Sequence, residues 1–325
     1  MNFKLAAIVP RALLLCLAMA GSVAAADFPL RPVTLIVPFG PGGPTDIIAR
    51  SLAEQADKVL SERIVVVNRP GASATIGTAE VHRAKPDGYT ILLGDNISTV
   101  LQPRRMKLTY QNAQDFQPVI KLADIPNVLV VQADSQLKTL EDFVRAAKSR
   151  PGALRVSTAG RYTGTDLNML EFNQVAGIDT TTVPVSGGTG ESVGLLLGGH
   201  VEAIVAAPAA VVSQVQAGKL RPLMVFSQRR IDLFPDLPST HELGYKTTMR
   251  VVVFISAPKN LDKTALAALH GSLSKAVRSA KFEEFAKRTG YQLDPLGPEA
   301  LTRELDDWGK YFATLVQQLN IKPAE

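Results

Sequence analysis

Three glycine-rich stretches, each lying between an apolar run and a helical pattern, carry the residue types that bind small anions. The first is Pro38-Phe39-Gly40-Pro41-Gly42-Gly43-Pro44-Thr45-Asp46. Gly42 and Gly43 have no Cβ and tolerate positive φ, so a ligand can approach the main chain where a helix begins. First-turn N–H groups have no partner within the helix, and the macrodipole adds partial positive charge, a combination that attracts carboxylates. Asp46, an acid in the first helical turn, is placed to stabilise that turn. The other reading is a plain strand-to-helix turn.

The second stretch, Ala159-Gly160-Arg161-Tyr162-Thr163-Gly164-Thr165, repeats the order of glycine, hydroxyl side chains and helix start. Two such ends facing one cleft make a two-sided anion clamp. Arg161 adds a bidentate partner for a carboxylate, unless it is a solvated loop arginine. In the third stretch, Val185-Ser186-Gly187-Gly188-Thr189-Gly190, Ser186 and the backbone of Gly187 and Gly188 can face the same cleft, or the glycines serve only the turn. Asn96 follows a strand end, where ligands gather in open α/β sheets, and is a candidate for the second wall; its alternative role is in the turn.

Other chemistry has little to build on. His82, His200, His241 and His270 are scattered, and the sole cysteine, Cys16, lies in the N-terminal apolar segment, so neither a metal site nor thiolate chemistry is expected. Gly190-Glu191-Ser192-Val193-Gly194 has the letters of a nucleophile elbow, but Ser192 falls inside an expected helix rather than straight after a strand. Gly40 and Gly42 begin a dinucleotide fingerprint that fails at Thr45, and no Lys-Ser/Thr pair follows to make a P-loop. No cofactor is expected.

The elements that must position these loops alternate strand and helix. Val33–Val37, Ile64–Val67 and Tyr89–Leu93 are predicted strands, with helices over 47–60 and 75–85 between them. A second series begins near Val128, with strands at 128–131, 155–158, 181–185, 203–206 and 220–226 and helices over 140–150, 165–175, 191–197 and 209–217. Val251–Ile255 is a last strand, followed by helices over 262–279, 281–288 and 298–319 without a further strand pair. The alternation predicts parallel sheets of the α/β class. The terminal helices return to cover the first domain, so the chain crosses twice, near 125–128 and 245–250, and two crossings make a hinge.

The 325 residues suggest about two domains, and 46% apolar content suits a soluble globular protein. Residues 1–26 hold Lys4 and Arg11 and no acid, so the formal charge of +5 (35 basic, 30 acidic) falls to +3 without them, which gives no case for nucleic acid binding. Lys4 and Arg11 precede the apolar run 12–20, and Ala24-Ala25-Ala26 offers a cleavage site, so residues 1–26 read as a secretory signal. The run is too short to span a bilayer, and Leu15 before Cys16 does not fit a lipid anchor. Release into the periplasm or outside is expected.

Pro38-Phe39-x-Pro41-Gly42-Gly43-x-x-Asp46, Val67-Asn68-Arg69-Pro70-Gly71-Ala72, Pro86-Asp87-Gly88-Tyr89-Thr90-Ile91, Ala217-Gly218-Lys219-Leu220-Arg221-Pro222 and Leu237-Pro238-Ser239-Thr240 together resemble the Bug family of extracytoplasmic solute receptors, the binding components of tripartite tricarboxylate transporters. The resemblance spans nearly the whole mature chain. It implies a type II periplasmic binding protein fold: two α/β lobes, 27–127 with 250–325 and 128–249, joined by the two-crossing hinge. It further implies a small carboxylate held between the lobes, partly through water. Carried onto this chain, the ligand contacts are Phe39, Gly42, Gly43, Pro44, Thr45 and Asp46 in the first loop, and Gly160, Arg161, Thr163, Gly164 and Thr165 in the second. The chain departs from the family at Val185-Ser186-Gly187 and at Ala206-Ala207, where relatives carry more polar residues. The third wall, with Ser186, Gly187 and Ala207, is therefore small and apolar, which favours an apolar or aromatic carboxylate over an amino acid.

The expected function is a non-enzymatic, monomeric periplasmic receptor that delivers a small carboxylate, aromatic or dicarboxylate among the options, to membrane permease subunits. The alternatives are a ligand-dependent sensor partner and an exported enzyme acting on a small carboxylate.

Overall fold

The computed structural model describes residues 28–323, so the expected export signal, residues 1–26, lies outside the described residues. The chain builds two sheets. The first contains β1 (Val33–Val37), β2 (Ile64–Asn68), β3 (Thr90–Asp95), β4 (Phe116–Ile125), β10 (Val251–Pro258) and β11 (Gln292–Leu293), in the order β11-β4-β10-β3-β1-β2. The second contains β5 (Asn127–Gln132), β6 (Arg155–Thr158), β7 (Thr181–Pro184), β8 (Ala203–Ala206) and β9 (Leu220–Phe226), in the order β7-β6-β8-β5-β9.

Helices α1 (Pro44–Ala56) and α2 (Thr75–His82) connect the strands of the first sheet, and a π turn (Ile97–Leu101) leads into the short α3 (Gln102–Arg105). Helices α4 (Leu140–Ser149), α5 (Gly164–Ala176), α6 (Gly188–Leu197) and α7 (Pro208–Gln216) serve the second sheet. The chain then returns to the first through α8 (Lys263–Val277), α9 (Ala280–Thr289) and α10 (Pro298–Gln318).

Parallel pairing, expected throughout, holds only for β2-β1-β3 and β7-β6-β8. β10 lies antiparallel between β3 and β4, and β5 antiparallel between β8 and β9. The reason is topological. β4 carries the chain out of the first sheet and β10 brings it back alongside, so the two must run in opposite senses, and β5 with β9 repeats the pattern in the second sheet. β4 and β11 are additional to the expected strands. Pro118 and Lys121 interrupt the apolar pattern of β4, yet the strand lies between β10 and the short β11 and Lys121 is fully buried.

Lys121 explains how a charge tolerates that position. Its Nζ lies 3.1 Å from Asp124, 2.8 Å from Asp294 and 3.0 Å from Glu304. Burial alone would lower its pKa, but the three carboxylates more than reverse this and hold it above the ordinary value. Arg250, at the entrance to β10, joins the same cluster at 2.9 Å from both Asp124 and Glu304. The cluster ties β4, the return of the chain and α10 together.

Polar side chains also satisfy the main chain where it passes between the sheets. Asn96 donates to the carbonyl of Arg250 and accepts from the N–H of Val252, both at 3.0 Å. Asn127 donates to Asn168, which donates to the carbonyl of Met249, both at 2.8 Å. Glu171 accepts from the N–H groups of Thr248 and Met249 at 2.9 Å and from the hydroxyl of Tyr311 on α10 at 3.0 Å. Irregular buried backbone needs such partners. One apolar cluster seals the region, combining Ile97, Leu167, Met249, Val252, Trp308 and Phe312.

Replacing Lys121 by Met leaves the surrounding carboxylates without their central cation. Lys121→Met is expected to lose about 3 kcal/mol of unfolding free energy in urea, the range for breaking a buried pair from one side. A loss below about 1 kcal/mol would show the cluster to be solvated.

Candidate ligand-binding site

A cleft of about 730 Å³ opens between the two sheets. It is lined by Phe39–Thr45 after β1, by Ala159 and Tyr162–Thr165 after β6, by Ser186–Gly190 after β7 and by Ala207 and Ala210 after β8. Its floor is formed by Asp95, Ile97, Ser98 and Gln102 beyond β3, with Ile125, Asn127 and Val251 where the chain passes between sheets. The three glycine loops thus converge. Four helices, α1, α5, α6 and α7, begin at this cavity, and none of them has a side-chain hydrogen bond at its N-cap. Among the described residues no Lys, Arg or His lines it.

The first two loops have the same internal construction. Gly42 adopts φ +78°, Gly43 is the N-cap of α1, and the N–H of Gly42 donates to the carboxylate of Asp46 at 2.9 Å. Tyr162 adopts φ +57°, Thr163 is the N-cap of α5, and the N–H of Tyr162 donates to the carboxylate of Asp166 at 2.8 Å. In each case an acid in the first turn reaches back four residues and fixes the turn from behind. The first-turn N–H groups are left for the cleft. Gly187 does likewise, donating to Glu191 at 2.6 Å.

The hydroxyls of the second loop are organised among themselves. Thr163 donates to the carbonyl of Gly160 at 2.8 Å and lies 3.0 Å from the hydroxyl of Thr165, which accepts from the N–H of Ala159 at 2.9 Å. Gly164 is required by close approach: a Cβ there would stand 2.3 Å from Val251 Cγ2. The start of α5 is therefore packed directly against the strand entering from the other crossing. On the opposite side, the Tyr291 hydroxyl donates to the carbonyl of Pro44 at 3.0 Å, anchoring the start of α1 to the chain after α9.

Phe39, Gly42, Gly43, Pro44, Thr45, Thr163, Gly164, Thr165, Ser186, Gly187 and Ala207 line the cavity as the sequence suggests. Four candidates do not. Asp46 is buried behind the first loop, where Arg50 and Asn68 donate to it at 2.9 Å in addition to Gly42. Asn96 is fully buried and both ends of its amide serve residues 250–252: the chain leaves β3 after Asp95 and Asn96 is already in the αR conformation, so Asp95 borders the cleft and Asn96 does not. Gly160 turns the chain at φ +139° below the lining residues. Arg161 points away, to Thr182 at 3.1 Å and Asp166 at 3.7 Å.

Tyr162, Asp95, Gln102 and Ser73 are lining residues that composition does not single out. Tyr162 lies with its ring 4.0 Å from the guanidinium of Arg105, which also donates to Gln102 at 3.0 Å, so a cation just outside the cleft props two of its walls. Ser73 is presented by an unusual turn in which Ala72, Ser73 and Ala74 all have positive φ, 45°, 54° and 71°. Such residues cost about 1–2 kcal/mol each, and this strain sits at the cavity wall. Ser192, the elbow look-alike, is fully buried within α6 and 2.9 Å from Ser157. No group of metal-ligating residues occurs among the described residues.

Burial alone would raise the pKa of Asp46, but the hydrogen bonds from Arg50, Gly42 and Asn68 outweigh it and hold it below the ordinary 3.8. A carboxylate depressed on folding contributes stability above its unfolded pKa and loses it as pH falls through the lower folded value. Asp46→Ala is expected to cost about 1–3 kcal/mol at neutral pH, to remove this contribution's loss below about pH 4, and to speed exchange of the Gly42 amide proton. Unchanged amide exchange would show that Asp46 does not hold the loop.

Residues 48–320 match the family described as the tripartite tricarboxylate transporter family receptor. The protein BugT of Bordetella pertussis is 34% identical over 82% of this chain and 83% of its own. The structure of the periplasmic binding protein BugD superposes with a TM-score of 0.78 at 30% identity, covering 91% of this chain and 99% of that one. Rpa4515 of Rhodopseudomonas palustris, solved with adipate, superposes with a TM-score of 0.82 at 25% identity over 92% of this chain and 100% of the other. These neighbours share the two-lobed periplasmic binding protein fold, and the extent of the match makes this chain a member of the tripartite tricarboxylate transporter receptor family.

Proposed function

We propose that this protein is a periplasmic receptor that captures a small carboxylate between its two lobes and presents it to the membrane permease of a tripartite tricarboxylate-type transporter. In this reading residues 1–26 direct export, 27–127 with 250–325 form one lobe and 128–249 the other. The observation that carries it is the convergence of four helix N-termini without side-chain caps on a cleft lined by no basic side chain. A site of that kind holds a small anion through directed main-chain N–H groups. The adipate bound by the Rhodopseudomonas palustris neighbour supports a carboxylate as the anion.

In the open state the ligand's carboxylate meets the first loop, with contacts from Phe39, Gly42, Gly43, Pro44 and Thr45. Closure then brings Thr163, Gly164, Thr165, Ser186, Gly187 and Ala207 onto it. Each helix end contributes about 0.3–1 kcal/mol, whereas micromolar binding requires about 8 kcal/mol. Main-chain hydrogen bonds in a water-excluded cavity supply most of the difference.

A thermal-shift screen of the mature protein against mono-, di-, tri- and aromatic carboxylates tests the reading. Binding to the folded state alone raises apparent stability, by about 2.7 kcal/mol at a hundred times Kd. At least one class is expected to raise the midpoint, and no response from any class would overturn the proposal.

Gly43→Asp provides the matching variant. Gly43 has φ −76°, and a Cβ there meets only the Gly40 carbonyl at an ordinary 3.5 Å, so aspartate fits and can cap α1 itself. The variant is expected to fold with equal or greater stability while losing carboxylate binding through like-charge repulsion at the helix end. Full retention of affinity would remove the first loop from the site.

A further inference from the structure

Among the described residues Asp95 is the one carboxylate lining the cleft, and it stands on the floor beside β1 and β10. It is 97% buried by the complement of its 3% exposure, and no ion pair involving it occurs among the described residues. Its Oδ1 accepts from the N–H of Ser98 at 2.6 Å, and its main-chain carbonyl accepts from the Thr99 hydroxyl at 2.6 Å. Oδ2 is the remaining acceptor on a side chain that borders the cavity. An ionised carboxylate in so enclosed a place is costly unless a hydrogen-bond donor or a cation meets it. Ser98 supplies a donor, but the other described lining side chains are neutral, so a charged complement for Asp95 can come only from the occupant.

We infer that Asp95 is the specificity-determining residue of the cleft, selecting a small carboxylate that carries a hydroxyl or ammonium donor at its far end and rejecting a second carboxylate there. The inference rests on the carboxylate-receptor reading and adds the identity of the ligand's other end. The small third wall at Ser186, Gly187 and Ala207 supplies no acid for a donor-bearing ligand, but the floor does. Burial pushes the Asp95 pKa up, with the hydrogen bonds from Ser98 and Ile97 pulling it partly back, as expected of a carboxylate awaiting a partner.

The test uses matched sets of acids that differ only at the end remote from the carboxylate, measured by calorimetry on the mature protein. The probes are butanoate, 4-hydroxybutanoate, 4-aminobutanoate and succinate; hexanoate with its 6-hydroxy and 6-amino derivatives and adipate; and 4-methylbenzoate, 4-hydroxybenzoate, 4-(aminomethyl)benzoate and terephthalate. In at least one set the hydroxyl or ammonium member is expected to bind about tenfold tighter than the methyl member, and the dicarboxylate weaker than it. Asp95→Asn keeps an acceptor for Ser98, and is expected to erase the donor's advantage and strengthen dicarboxylate binding about tenfold. Asp95→Ser, smaller and neutral, is expected to shift the order the same way.

A wild-type protein that binds the dicarboxylate as tightly as the donor-bearing acid overturns the inference whatever the variants do. So does an unchanged order of affinities in folded Asp95→Asn. Absence of binding in all three sets, together with a silent thermal screen, overturns the receptor reading beneath it.

Discussion

The cleft depends on two carboxylates that do not face it. Asp46 and Asp166 each accept the N–H of a residue held at positive φ four positions earlier, and so fix the turn from which α1 or α5 starts. Ordinarily the side chain at the N-cap satisfies the first free N–H, as Thr139, Asp262 and Ser279 do at α4, α8 and α9. At Gly43 and Thr163 no such bond is made. Omitting a cap costs about 1 kcal/mol, and the consequence is a donor left pointing into the cavity. Anchoring the turn from behind while leaving its mouth uncapped is what turns a helix start into a receptor surface.

The same helix that opens on the cleft also grips the hinge. α5 begins at Gly164 against Val251, and one and two turns later Asn168 and Glu171 hold the main chain of residues 248 and 249. Tyr311 ties Glu171 to α10, and Asn96 performs the corresponding task for residues 250–252 from the other lobe. The start of α5 is thus joined to the returning chain both by these hydrogen bonds and by the packing of Leu167 against Met249, Val252 and Trp308.

The α/β class, most strand positions and the convergence of the glycine loops are legible in the sequence, because glycine punctuation and apolar runs encode them locally. β4 is not, since Lys121 and Pro118 break its pattern and the acids that accommodate Lys121 lie as far away as Asp294 and Glu304. The antiparallel strands follow from the crossings, which no local pattern records. At the site, the residue types are readable but side-chain direction is not. Asn96 and Asp95 are neighbours, and where the strand gives way to the αR turn, between the two, decides which borders the cleft. Arg161 looks like an anion ligand until Asp166, five residues on, is seen to claim it together with Thr182. The shared Thr-Asp of Thr45-Asp46 and Thr165-Asp166 is present in the letters, but its meaning lies in the reach of the acid back to the turn.

The cations near the cleft are each engaged elsewhere: Arg50 with Asp46, Arg161 with Asp166, Arg105 with Tyr162 and Gln102, Arg250 with Asp124 and Glu304. Arg50, Arg161 and Arg250 are matched there by carboxylates, so their charge is held in ion pairs rather than offered to the cleft. Inside the cleft a free guanidinium would hold almost any carboxylate or phosphate in bidentate fashion. Main-chain N–H groups at fixed helix ends hold an anion only along fixed directions, which ties anion binding to the shape of the walls. Keeping the guanidinium groups paired outside while the helix ends stay uncapped inside therefore gives the cleft directional donors without an indiscriminate cation.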